Sequence, residues 1–444
     1  MPFRIIIVLI GAIGGAITAA VSPYLGLLML VFLNFGRPQD DRPNVEPLHI
    51  PMMITVAVLV GLILRAGKYM PAFLAALRTL KLILLFYLVM VVSALTHWTE
   101  LSKNRVDDFT ALMCFCLLTL TVIQTEKELR GYLNAILFSG FYVIVRVLRN
   151  PSKIVEHIAG EAYERAAIAK GGTVFGNSNY LALFMVLTIF LAVAMMSYYH
   201  KLWQRVVLLG LMGGAGYVFF QANSRGASIA LGAGTLVMWL LSKKKMKMAV
   251  GLILLVSIAA ALAPDSYWSR LSTVSNYEED ASARDRLQLW NIALGLIPEH
   301  PVLGVGPDNF VLYAPNTPHN AYLQVGSEIG IPALLIYVSI LLTGLYRPWS
   351  ARKRFTSYDD TSPLLPAAAL GIFCCVLAVT VQGFTTGLAH REVVYVFVTI
   401  SLVLSNLAST TKKSGAEAHV EAPKIASPDG VESTQPSMSP NPVY

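Results

Sequence analysis

His319, Arg225 and Arg286 are the residues of this chain whose types best suit chemistry. His319 stands between Pro318 and Asn320 in a polar segment, 298–332, punctuated by Pro301, Pro307, Pro315 and Pro318. An imidazole accepts a proton from a hydroxyl near neutral pH better than any other side chain. Arg225 lies in FFQANSRGAS beside Asn223, Ser224 and Gly226. Such a tight polar link with a small residue lets a phosphate approach backbone N–H groups. Arg286 lies in ARDRLQLWNIALGLI, four residues before Trp290, so that on a helix the ring braces the guanidinium. The same helix is expected to be amphipathic, with Leu287, Trp290 and Leu294 on one face. A guanidinium is planar, permanently charged and donates two hydrogen bonds at once, which suits a diphosphate. It suits a departing diphosphate above all, because negative charge grows there as the bond breaks.

Four further residues join them as candidates for substrate binding. Arg284 is either a second clamp or a partner of Asp280, and Glu328, nine residues after His319, orients the histidine or binds an acceptor. Asn179 and Asn320 complete the set. Each has a plainer reading: arginines at helix ends snorkel to lipid headgroups, surface helices carry routine charges, and a lone histidine is more often structural. His300 competes with His319, although His300-Pro301 reads as a turn. No metal and no cofactor are expected. His97, His157 and His390 lack ligands at suitable spacing, and Cys114, Cys116, Cys374 and Cys375 lie inside apolar runs, unlike a zinc site or a disulfide framework. GVGPDNF, 304–310, lacks the strand and long helix of a nucleotide loop.

The elements that position these residues are membrane helices. Of 444 residues, 55% are hydrophobic and 14% charged, with a mean hydropathy of +0.60; a soluble chain carries roughly 25% charged residues. Apolar runs near membrane-spanning length recur between short polar links. The expected class is therefore all-α, a polytopic helical protein with the bilayer as a partner. The net charge of +8 is no argument for nucleic acid, because the cations cluster in the links. Residues 3–36 read as two short helices or one kinked one. Residues 1–20 run on into further apolar sequence rather than ending as a cleaved leader. Helices follow at 48–66, 77–96, 109–125, 130–148, 180–199, 206–222, 226–242, 247–263, 330–346, 364–384 and 391–408. A single helical domain, 1–408, thus includes a large polar loop, 264–329, with short helices in it. The Pro-, Ser- and Lys-rich tail, 409–444, is expected to be disordered.

The positive-inside rule orients this arrangement. Cations around 65–81, 200–205, 243–247 and 347–354 fall on one side, the cytoplasm. The loops 37–47, 97–108, 149–179, 222–225 and 264–329 then share the other, so Asn179, Arg225, Arg284, Arg286 and His319 meet at one non-cytoplasmic face. About 12 spans follow if 3–36 counts once, and 13 if it counts twice.

At these residues the sequence resembles the bacterial O-antigen ligase and polymerase superfamily. HNAYLQVGSEIG, 319–330, fits that family's His-Asn, leucine, Glu-x-Gly pattern, and GVGPDNF, ARDRLQLW, NSRG at 223–226 and GNSN at 176–179 fit in the same order. The DASA stretch, 280–283, and the early GRPQ look more like the branch labelled as putative O-glycosylation ligases. The resemblance implies a bacterial inner-membrane glycosyltransferase whose active site faces the periplasm. It implies a glycan donor carried on undecaprenyl diphosphate, a lipid A–core sugar hydroxyl as acceptor, inversion at the anomeric carbon, and no need for a metal. Carried onto this chain, Arg225 and Arg286 hold the diphosphate and His319 activates the acceptor. Arg284 departs from the pattern as an additional charge.

An O-antigen polymerase and a protein O-oligosaccharyltransferase share the same donor chemistry and differ only in acceptor. A transporter of the lipid-linked glycan would also use broken helices and arginines. A scaffold without catalysis leaves the gathering of polar motifs on one face unexplained.

Overall fold

A computed structural model describes residues 3–41, 49–149, 152–158, 161–167, 177–242, 246, 281–357 and 362–421. The expected helix 247–263 and residues 264–280 of the large loop lie outside them. The fold is helical, as the apolar runs require, because a backbone in lipid must satisfy its own hydrogen bonds. The helices are α1 (Phe3–Val21), α2 (Pro23–Phe35), α3 (Ile50–Ile63), α4 (Ala66–Thr79), α5 (Lys81–Thr96), α6 (Glu100–Val122) and α7 (Glu126–Arg149). After a hairpin come α8 (Ser178–Met196), α9 (Leu202–Ala222), α10 (Arg225–Leu241), α11 (Ala281–Glu299), α12 (Ala321–Glu328), α13 (Ile331–Phe355), α14 (Leu364–Gln382) and α15 (Glu392–Glu421).

Six of the described helices are long and apolar enough to cross a membrane, or seven if the bent pair α3–α4 is one span. Residues 8–21, α2, α5 and α10 are apolar but shorter. The chain is a multi-pass membrane protein.

Several boundaries differ from expectation for local reasons. The 3–36 stretch is two helices: Ser22 accepts from the Leu25 amide at 3.4 Å and Pro23 opens α2, the preferred position for a ring without an N–H. The cationic link near residue 70 is itself a helix. α4 leaves α3 at 113° and carries Lys68 and Arg78, the charge and bend of a helix lying at a membrane interface. The charged stretch 100–108 extends α6 rather than forming a loop, because Thr99 caps it with a 3.0 Å bond from the Ser102 amide.

Within 149–179 an antiparallel hairpin departs from the all-helical expectation. β1 (Ser152–Ile158) pairs with β2 (Glu161–Ala167) from Ser152↔Ala167 to Ile158↔Glu161. At the other end of the chain, helix continues through the first part of the expected disordered tail, to Glu421. Its Ala, Lys and Glu residues favour helix, and the first proline comes only at Pro423.

α8 is the hub of the bundle. It is buried along most of its length and packs on α7, α9, α10 and α14. Small residues set the spacing, as expected where lipid supplies no hydrophobic drive between helices. Gly234 lies under the Phe190 ring, and Gly371 lies against Ala194. A second buried group, of aromatic rings, joins α5, α6, α13 and α15: Phe86, Phe109, Tyr337 and Tyr395, with the closest ring centres 4.8 Å apart.

Hydrogen bonds sort the links into two ends. At one end Arg130 donates to the Tyr198 hydroxyl, Asn134 to Tyr199 at 2.7 Å, and Ser362 to Glu126 at 2.6 Å. These links carry the cations at 127–130 and 200–205. The polar motifs meet at the opposite end.

Candidate active site

The site is built around the turn that holds His319. Asn320 caps α12, its side-chain oxygen accepting from the Tyr322 and Leu323 amides at 3.0 and 3.1 Å. On the other side of the histidine, the Trp290 indole N–H donates to the Pro318 carbonyl at 2.9 Å. His319 is therefore clamped from both neighbours, and its backbone has a φ of 51°. A bulky residue with positive φ is strained by about 1–3 kcal/mol, and such strain persists where surrounding contacts over-determine it. The imidazole is half-buried. Asn320, expected to bind substrate, also holds the turn through its side-chain oxygen.

Trp290 also fixes α11, which carries Arg286 one turn earlier. At 100° per residue the two project from nearly the same side, while Arg284 projects about 120° away from Trp290. Arg284 is exposed and Arg286 half-buried. The expected apolar face of α11 is not the one packed inward. Leu287 and Leu294 are exposed, whereas Leu289, Ala293 and Leu296 are buried against Val305, Phe310 and Ala314. Both stripes have helical spacing. The second wins because it meets the folded-back loop 300–314, a partner that periodicity cannot show.

Three glycines with positive φ weld that loop to the end of α12: Gly304, Gly306 and Gly330. The Val305 amide donates to the Ser327 carbonyl at 2.9 Å and the Gly306 amide to the Glu328 carbonyl at 2.8 Å. A Cβ on Gly304 would sit 2.3 Å from the Glu328 carbonyl carbon, so this seam admits no side chain. The rest of GVGPDNF ties the loop to the α5–α6 turn. Asn309 donates to the His97 carbonyl at 3.0 Å and accepts from Thr99 at 2.5 Å, while Arg105 grips Asp308. His300 stands edge-on to His97, with ring centres 6.1 Å apart.

Arg225 arrives from the other half of the molecule. It opens α10 after Ser224, whose hydroxyl donates to the Asn179 side chain at 2.8 Å. Gln382, closing α14, donates to the Asn179 carbonyl at 2.8 Å, and the next carbonyl, of Gly383, accepts from the Ala321 amide at 2.7 Å. A continuous chain of bonds thus runs from the start of α10 through Asn179 and the α14 terminus to the start of α12, then through Pro318 to Trp290. It places Arg225, Arg286 and His319 on one framework. Asn179 is a joint of this framework. Three helices, α8, α10 and α12, begin on it, and a helix start carries a partial positive charge that favours anions.

Glu328 has different company from that expected. It is fully buried, its carboxylate 3.0 Å from His390 Nε2, and Gln324 donates to it at 3.3 Å. Burial pushes its carboxyl above the ordinary value of 4.5, opposed by the bond to His390 and its positive field. His390, without suitable ligands in sequence, joins Glu328 and Asp308 with one ligand atom of each within 4.8 Å of the others. These are the residues among those described that could hold a metal ion. The Arg105 guanidinium donates to Asp308 at 2.9 Å, so one member of the group also has a cationic partner from α6. Its members are 20 and 62 residues apart, a separation at which no spacing rule applies.

Residues 210–338 match a family model described as O-antigen ligase. Over this stretch, less than a third of the chain, the sequence is similar to the O-antigen ligases. The superfamily of O-antigen ligases and polymerases consists of membrane glycosyltransferase-like enzymes. The matched stretch includes Arg225, Arg284, Arg286, His319, Asn320 and Glu328 and leaves outside it Asn179, Gln382 and His390, which the fold brings to the same end of the bundle. No curated protein matches the chain in sequence.

Proposed function

We propose that this protein is an O-antigen ligase that transfers a glycan from undecaprenyl diphosphate to a sugar hydroxyl of lipid A–core at the periplasmic face of a bacterial inner membrane. The observation that carries the reading is the single hydrogen-bonded framework joining the histidine turn to two arginine-bearing helices. His319, held at a strained φ, takes the proton of the acceptor hydroxyl. The hydroxyl oxygen attacks the anomeric carbon from the face opposite the diphosphate, forming the new glycosidic bond with inversion. The bond to the diphosphate oxygen breaks, and its electron pair becomes charge on the phosphates. Arg225 and Arg286 meet that charge with fixed donors, aided by the helix starts. Asn179 and Asn320 act as positioning residues, keeping the arginine and the histidine in register. Arg284, exposed on α11, is left to the surface or to the membrane edge. The alternatives within this superfamily differ in acceptor, with a second lipid-linked glycan for a polymerase and a protein hydroxyl for an oligosaccharyltransferase.

The test is a reaction with purified full-length protein in lipid, undecaprenyl-diphosphate-linked glycan, and either lipid A–core, a pilin-type protein or no added acceptor. Glycosylated lipid A–core with inverted configuration is expected. Lengthening of the lipid-linked glycan alone would overturn the ligase assignment in favour of a polymerase.

A further inference from the structure

Arg391 lies outside both the family match and every motif above. It ends the 383–391 turn, immediately before α15. Its guanidinium carbon sits 4.7 Å from the centre of the Tyr180 ring. The interacting side chain is Tyr180, with Glu392 and Asp308 adding longer-range attraction. Among the described residues no carboxylate forms an ion pair with it. Stacking on a ring fixes the plane of a guanidinium while leaving most of its five donors unspent.

The position of Tyr180 gives this cation its meaning. Tyr180 follows Asn179, the residue that holds the start of α10 and hence Arg225. Its hydroxyl donates to the Gly387 carbonyl at 2.8 Å. Gly387 in turn lies against Gln324 and Thr317, a Cβ there falling 2.9 and 3.8 Å from their side-chain oxygens. Thr317 is two residues before His319. Arg391 therefore stands on the piece of chain that bridges the Arg225 side of the site to the His319 side. A half-buried cation that no carboxylate pairs among the described residues carries a desolvation cost that an anionic ligand removes.

We propose that Arg391 is a substrate-binding residue, a third guanidinium that holds the diphosphate of the lipid-linked donor. This rests on the donor chemistry proposed above. With Tyr180 as its backing, it meets the phosphates from the start of α15.

Phenylglyoxal labelling of the purified full-length protein, read by peptide mass spectrometry, tests this without a variant. Undecaprenyl diphosphate is expected to slow labelling of both Arg391 and Arg225 about tenfold or more, inorganic pyrophosphate to slow both at higher concentration, and phosphatidylglycerol to slow neither. Protection of Arg225 with Arg391 unchanged would overturn the role of Arg391 while leaving the donor reading standing. Protection of neither would overturn the donor reading as well. Equal protection of Arg391 by phosphatidylglycerol would make it a headgroup contact, and an Arg391 that never labels in the free protein would be closed to any ligand; both results overturn the proposal. As a second measurement, Arg391→Ala should weaken undecaprenyl diphosphate binding about ten- to a hundredfold, with Arg391→Lys recovering part of the loss. Unchanged binding in a folded Arg391→Ala protein would equally refute it.

Discussion

Two histidines stand at the same end of the bundle and have opposite surroundings. His390 is buried, with one ring nitrogen on the Glu328 carboxylate and Gln324 close by. His319 is half-buried in a left-handed turn, held by what its neighbours bond to. A buried histidine on a carboxylate holds structure together, because losing either partner strands the other in a low dielectric. A half-buried histidine in a left-handed turn keeps part of its surface accessible, which is what the proton transfer proposed for His319 requires. Sequence gives the two the same residue type, and only their environments separate them.

The comparison breaks most readily at His319. His319→Ala should reduce glycosyl transfer by about 10²- to 10⁴-fold while the protein stays folded and still binds the lipid-linked donor; transfer within tenfold of the unmodified protein would remove it from the mechanism. His390→Ala should act instead on stability, costing about 3–5 kcal/mol, read as a large fall in the thermal midpoint in detergent.

The pH dependence of that stability sharpens the contrast. Glu328 has a carboxyl pushed above 4.5 by burial, so between its unfolded and folded values the native state binds more protons than the unfolded one. Stability should therefore fall as pH rises through that window. Glu328→Gln should flatten the slope, and an unaltered slope would show that the pair does not titrate as described.

The smallest effects separate the two arginines of α11. Arg286→Ala should cost about 2–4 kcal/mol of transition-state stabilisation, measured from kcat/KM. Arg284→Ala should fall within about 0.5 kcal/mol of unmodified activity and stability. Reversal of the two would exchange their roles.

Much of this was legible in the residues. Apolar runs marked most of the helices because lipid leaves the backbone few alternatives, whereas the capping of α12 by Asn320, expected among the substrate-binding residues, shows only in the structure. Counting helices between cationic links led to the expectation that Asn179, Arg225, Arg284, Arg286 and His319 share one face, and the bonds joining Asn179 to Ser224 and Trp290 to Pro318 are of the kind that expectation calls for. Other features depend on contacts that no local pattern encodes. Glu328 was nearer in sequence to His319 than to His390, yet α12 turns its carboxylate toward the 383–391 turn. α11 offers two apolar stripes, and only the folded-back loop selects Leu289, Ala293 and Leu296. The charges at 100–108 looked like a loop because composition outweighed the cap at Thr99. Arg391 carried no signal beyond its charge, since the contact that singles it out is with Tyr180, more than 200 residues earlier.

The bond from Trp290 to the Pro318 carbonyl has an optical consequence. Indole emission shifts with the hydrogen bonding and polarity around the ring nitrogen, and this nitrogen is fastened to the residue beside His319. Trp290 is one of six tryptophans, so a version retaining it alone would turn the molecule into its own fluorimeter. Its colour would follow the histidine turn as donor and acceptor come and go.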